Sequence, residues 1–147
     1  MIPVTQTKFH VFSKDGKIVQ RGNCFAAVVA SMLEITIYDV PNVEVLFYED
    51  YNDEGSTFWY EVMQTFLTSK GWDWSGDARY KVFHPEFGVK DEELIMKLKD
   101  TFYFGIGKSA RGVNHVCIFQ NGIMVHDPHP SRDGLETLEF FESIERI

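Results

Sequence analysis

The sequence predicts an α+β fold, and three observations carry that reading. Residues 24–34, CFAAVVASMLE, are apolar nearly all round a helical projection, the mark of a helix buried on most faces. From residue 101 onward the pattern changes to apolar and β-branched runs separated by turn residues. Helical segments come first and strands last instead of alternating, which is the α+β order. No repeat, low-complexity tract or linker-like shift divides the 147 residues, so the chain reads as a single domain, 1–147, large enough to bury a real core.

The elements follow in order. KFHVFSKDGKIVQRG (8–22) reads as a hairpin around Lys14-Asp15-Gly16. After the 24–34 helix, Pro41 disfavours helix at Val40, so IYDVPNV is a loop or a short helical turn. Ser56 suits the N-cap of a second helix, 57–70. In it Trp59, Met63, Phe66, Leu67 and Lys70 recur at 3–4 spacing, and Gly71 suits its end. Residues 71–88 read as loop with a short strand at 79–83. KDEELIMKLKD (90–100) reads as a short helix, acidic at its start and basic at its end as the helix dipole favours. TFYFGIG (101–107), NHVCIFQ (114–120) and IMVHD (123–127) read as consecutive antiparallel strands; the tail 135–147 fits strand and helix about equally, with strand the reading taken.

Composition narrows the function classes. The formal charge is −8, from 14 basic and 22 acidic residues, which argues against non-specific binding to nucleic acid or to an anionic membrane. Most of that charge reads as solvated surface, while the stretch EVLFYEDYNDEG (44–55) is where a basic partner would be attracted. No apolar run approaches the roughly 20 residues of a membrane span, and the first residues lack a signal-peptide layout, so a cytoplasmic location is expected. Cys24 and Cys117 lie far apart in a chain expected to be kept reduced, so a disulfide is not expected. No metal or other cofactor is expected either, since the single His-x-x-His of HDPHP is a poor match to known ligand spacings.

One short stretch carries chemistry. In RGNCFAAVVASMLE, Gly22-Asn23 suits the entry to a helix, and a cysteine at a helix start feels the unpaired N–H groups that favour a thiolate. Read locally, a small core residue is the plainer reading of Cys24. A thiolate nucleophile needs a base, and the base an orienting group. His115 lies on a predicted inner strand, where a satisfied core histidine is the plainer reading. A three-residue loop at Gln120-Asn121-Gly122 pairs Phe119 with Ile123 and puts His115 directly opposite Asp127. A two-residue turn would bring His126 to the His115 face instead. By the same reasoning, a three-residue loop at Lys14-Asp15-Gly16 puts Gln6 opposite Cys24 and Gln20 opposite His10. A glutamine beside the thiol can donate its amide N–H to a developing oxyanion. Cys117 shares a face with His115 and reads as packing; Trp59, Trp72 and Trp74 read the same way.

The segments GNCFAAVVASMLEI, NHVCIF and HDPHPS resemble the three blocks of papain-like cysteine peptidases, in particular the C39-like branch, and also small proteins of bacteria and their phages. About thirty residues carry the likeness. It implies a papain-like fold, in which a central buried helix bearing the cysteine packs on an antiparallel sheet bearing the histidine and aspartate. It also implies Cys24 as nucleophile, His115 as general base and acid, Asp127 as orienter, and Gln6 or Gln20 as oxyanion donor. Asn23, Asn114 and His129 are candidates for contacting a peptide or protein substrate. Two positions depart from the family: Phe25 stands where glycine is usual, and Ile18 stands where the oxyanion glutamine commonly lies. Phe25 and the acidic stretch leave open a different class, a catalytically silent domain that binds a protein partner.

Overall fold

The computed structural model describes residues 1–43, 58–74, 79–81, 96 and 98–147. The acidic stretch 44–55, the Ser56 cap and most of the expected 90–100 helix lie outside the described residues.

Among the described residues the fold is α+β, with two α-helices and antiparallel sheets. A hairpin of β1 (Val11–Phe12) and β2 (Ile18–Gln20) leads into α1 (Cys24–Leu33), followed by a single 3-10 turn at Ile37–Asp39. Helix α2 (Phe58–Ser69) leads to the short strand β3 (Trp72–Asp73). The main sheet has five strands in the order β4 (Arg79–Lys81), β8 (Thr137–Glu142), β5 (Phe102–Lys108), β6 (Asn114–Gln120) and β7 (Ile123–His126). A last strand, β9 (Glu145–Arg146), pairs with β3. The expected tail strand is thus present, divided in two. No helix is long and apolar enough to cross a membrane among the described residues.

Helix α1 is buried on nearly every side, as its composition requires: eight of its ten residues, Cys24 and Ala26 to Met32, are buried. Its Val and Met side chains each contribute about 1.5–3 kcal/mol by leaving water. The helix ends where Glu34 turns left-handed at φ 58° and returns its N–H to Ala30. It packs on β6, whose side chains alternate between two cores. Val116 and Ile118 join α1, Phe104, Met63 and Leu67 in one core, while Cys117 and Phe119 join Tyr103, Leu138 and Phe141 in the other. His115 follows the parity of Cys117. Phe25 packs between Trp74 and Phe104, with ring centroids 5.3 and 5.8 Å away.

Two hairpin registers differ from expectation: the first by one bulged residue, the second by a shorter turn and a bulge, so that the ladder sets Asp127 level with Cys117 and not directly opposite His115. Asn121 and Gly122 both have positive φ, 52° and 79°, so the β6–β7 turn is the two-residue mirror-image type. Gln120 therefore pairs with Ile123 and Phe119 with Met124, and Phe119 does not pair with Ile123. Val125 is then bulged out, so Ile118 pairs with His126. In the first hairpin the three-residue loop is as expected, with Ser13 N–H bonded to the Lys17 carbonyl and Gly16 at φ 80°. A bulge at Val19 then pairs Val11 with Gln20, so the ladder that would have set Gln6 against Cys24 is broken.

Strands β5 and β8 approach closely at two glycines. A Cβ on Gly107, the residue paired with His115, would overlap the Thr137 carbonyl oxygen, and one on Gly105 would enter the Phe119 ring. Because the Gly107 clash is with backbone, no side-chain rotation relieves it. Gly107→Ala is expected to lower unfolding free energy by about 3 kcal/mol, read from the denaturant midpoint.

Candidate active site

The bulge at Val125 builds the centre of the site. By shifting the register one residue, it moves Asp127 from the Val116 face of the sheet to the His115 face. His115 Nε2 then meets Asp127 Oδ1 at 2.6 Å, with both side chains almost fully buried. Asp127 Oδ1 also accepts the backbone N–H of His129 at 2.8 Å, and Oδ2 that of Gly134 at 2.7 Å. Burial opposes a charge on Asp127, but the hydrogen bonds from His115, His129 and Gly134 outweigh it and hold the carboxyl well below the usual range. The Asp127 backbone carbonyl is bonded by Arg132. The carboxylate is therefore ionised and fixed, and the imidazole presents Nδ1 as its second nitrogen.

Cys24, the first residue of α1, lines the same cleft as His115, together with Gln6, His10, Arg111 and His129. Phe9, Phe12 and Val113 complete its wall; the cleft is open to solvent, and its space counted together with that opening is about 370 Å³. The first turn of α1 has no acidic residue and no side-chain cap, so its positive end is not neutralised there.

Gln6 reaches this cleft by a route the hairpin argument did not contain. Segment 2–8 lies along α1 as a strap. Ile2 N–H bonds the Ser31 carbonyl at 3.0 Å and Val4 N–H the Ser31 hydroxyl at 2.9 Å. At the other end, Asn23 Oδ1 accepts the N–H groups of Thr7 and Lys8 at 3.0 and 2.9 Å, and Asn23 Nδ2 donates to Thr7 Oγ1. The opposite edge is held by Gln6 N–H to the Pro128 carbonyl, 2.9 Å, and by His126 Nε2 to the Val4 carbonyl, 2.8 Å. Gln6 is thereby buried between the Cys24 and Asp127 segments. Its Nε2 donates to the Lys8 carbonyl at 2.8 Å, and its Oε1 has no hydrogen-bond partner among the described residues. A buried amide with an unsatisfied atom at a cleft wall is suited to a ligand's polar group.

The other sequence candidates divide. His129 lines the cleft, its ring edge-on to that of His115 at 6.2 Å. Gln20 does not: its side chain is exposed and bonds the Phe9 carbonyl. Asn23 is neither a side-chain cap nor a cleft residue, because its amide is consumed in tying down the strap. Asn114 is exposed at the start of β6, paired with Lys108, away from the cleft wall. Sequence reasoning assigned no role at the site to His10 or Arg111. Arg111 stands four residues before His115 on the β5–β6 turn, a position that strand pairing brings to the site.

Neither cysteine forms a disulfide, and both are buried. Burial first, then the Asp127 and Cys24 charges, push the Cys117 thiol far up, so it stays protonated. His115, Cys117 and Asp127 offer a nitrogen, a sulfur and an oxygen within 4.8 Å of one another, the one such group among the described residues. A metal there would have to break the His115–Asp127 bond and strip a proton that the surroundings hold, so the donor set does not suit one. No protein-family model, no curated protein and no solved structure matches this chain.

Proposed function

We propose that this chain is a cysteine-dependent hydrolase with a papain-like arrangement, cleaving a peptide, isopeptide or related amide through a thioester. The observation that carries the reading is the buried Asp127–His115 pair opening on the cleft that Cys24 lines. The Cys24 thiolate attacks the acyl carbon, favoured by the positive end of α1. His115, its tautomer set by Asp127, protonates the leaving amine and then draws a proton from the water that opens the thioester. The Gln6 amide and the Cys24 N–H face the oxyanion, each donor supplying stabilisation only as charge develops. The same parts transfer the acyl group when an amine replaces water. Phe25, the family departure that favoured a silent binding domain, packs toward Trp74 and Phe104 and is not part of the cleft wall.

The test is an electrophilic activity probe followed by mass mapping of the modified residue. At mildly acidic pH, Cys24 is expected to be labelled and Cys117, buried and protonated, to be spared. Equal labelling of the two, or labelling of neither, removes the nucleophile from the proposal.

A further inference from the structure

We propose that Arg111 selects substrates carrying a carboxylate beside the scissile bond, an inference that rests on the hydrolase reading and names its substrate class. The chain carries a net charge of −8, yet among the described residues no aspartate or glutamate lines the cleft, while Arg111, His10, His115 and His129 do. The turn that carries Arg111 is closed by backbone bonds from Ser109 to Val113 and from Gly112 to Ser109. The Arg111 guanidinium is exposed, donates from Nη1 to Ser131 Oγ at 3.3 Å, and forms no ion pair among the described residues. A planar fork of donors left in this state at a cleft wall matches a carboxylate.

The neighbours do not cancel this charge. Asp127, the nearest buried carboxylate, spends its lone pairs on His115, His129 and Gly134. Asp133 acts on His129 only as the weakest of its influences. Burial and then Arg111 hold the His129 ring below its ordinary value, and burial, Arg21 and His115 do the same for His10 along with Arg111. Both shifts favour the uncharged rings, so Arg111 is the cation of the cleft lining, and α1 begins there with no acidic residue in its first turn. Phe9 and Phe12, 39% and 47% exposed, give the remaining contact an apolar character. An amide flanked by a carboxylate satisfies all of these groups together, and a lysine-rich peptide would leave Arg111 facing like charge.

The experiment compares alkylation of Cys24 by iodoacetate and iodoacetamide, reagents of similar size and different charge. The wild-type rate ratio is expected to favour iodoacetate about tenfold, to fall toward one in Arg111→Gln, and to be recovered in Arg111→Lys. It should also shrink as salt is raised to about 1 M. A ratio that Arg111→Gln leaves unchanged overturns the role of Arg111 while the nucleophile stands, since Cys24 still reacts. Failure of Cys24 to react with either reagent overturns both. Matched peptides separate the sources of the carboxylate. Preference for a free C-terminus over its carboxamide indicates a chain end, and preference for internal Glu over Gln an acidic side chain. Faster cleavage of neutral or Lys-bearing peptides overturns the proposal.

Discussion

Replacing Cys24 with alanine is expected to lower turnover at least about ten-thousand-fold while leaving a folded protein, because removing a nucleophile removes the covalent route entirely. The structural cost is small. Cys24 is buried beside Ala26 and Ala27 at the start of α1, and losing its sulfur opens a hole of one atom, worth about 1 kcal/mol. Circular dichroism and the thermal midpoint check the fold, and turnover of a fluorogenic amide checks the rate. Activity within tenfold of wild type would end the cysteine mechanism. Cys117→Ala supplies the contrast: its thiol is packed among Tyr103, Phe119 and Phe141, so it should change stability and leave the labelling of Cys24 in place.

The second large effect is expected at Asp127. Asp127→Asn replaces one acceptor oxygen with a donor, while His115, His129 and Gly134 all need acceptors there. Either the imidazole is left in the wrong tautomer or a backbone N–H is left facing an N–H. The first lowers the rate by about ten-thousand-fold and the second costs about 1–3 kcal/mol of stability. The pH dependence separates charge from shape. The Asp127 carboxyl is depressed in the folded protein relative to an unfolded value of about 4. Its contribution is therefore fully present above about pH 4 and is lost as pH falls from there toward the folded value. The stability gap between wild type and Asp127→Asn should be constant near neutrality and close in acid. A gap that persists unchanged at pH 2 would mean the carboxylate charge contributes nothing.

Much of this was legible before any coordinates. The buried helix and the strand run follow from periodicity, because burial on all sides and burial on alternate sides leave different patterns in the chain, whereas the tail fitted helix and strand alike. Cys24, His115 and Asp127 were legible as types in places. Their meeting was expected from a three-residue loop setting His115 directly opposite Asp127; that register is absent, and a single bulged residue brings Asp127 to the His115 face instead. It sits at Val125 and not in the turn, because Asn121 and Gly122 take left-handed backbone angles together and close a two-residue loop. A bulge within an edge strand leaves no turn residue to mark it. His126, bonded to the Val4 carbonyl from a distant part of the chain, is part of what holds it, and such a partner lies beyond local sequence reasoning. The same limit explains Asn23, whose side chain faces a choice between its own helix and the strap and takes the strap. Arg111 was passed over because its significance is a contrast of charge between a cleft and a whole surface, and a linear reading shows only the total.

The strap has a consequence for how the protein comes into being. Gln6 precedes α1 in the chain, but Val4 meets His126 across 122 positions and Thr5 meets Arg132 across 127. A nascent chain on the ribosome can form α1 and still hold no site, because the ledge against which segment 2–8 lies has not been translated. Contacts closed over so long a loop form late and slow the reaction that makes them. Reactivity should therefore depend on residues 126–132 as well as on segment 2–8 and α1, so that Cys24 gains its site only once these distant segments have folded together.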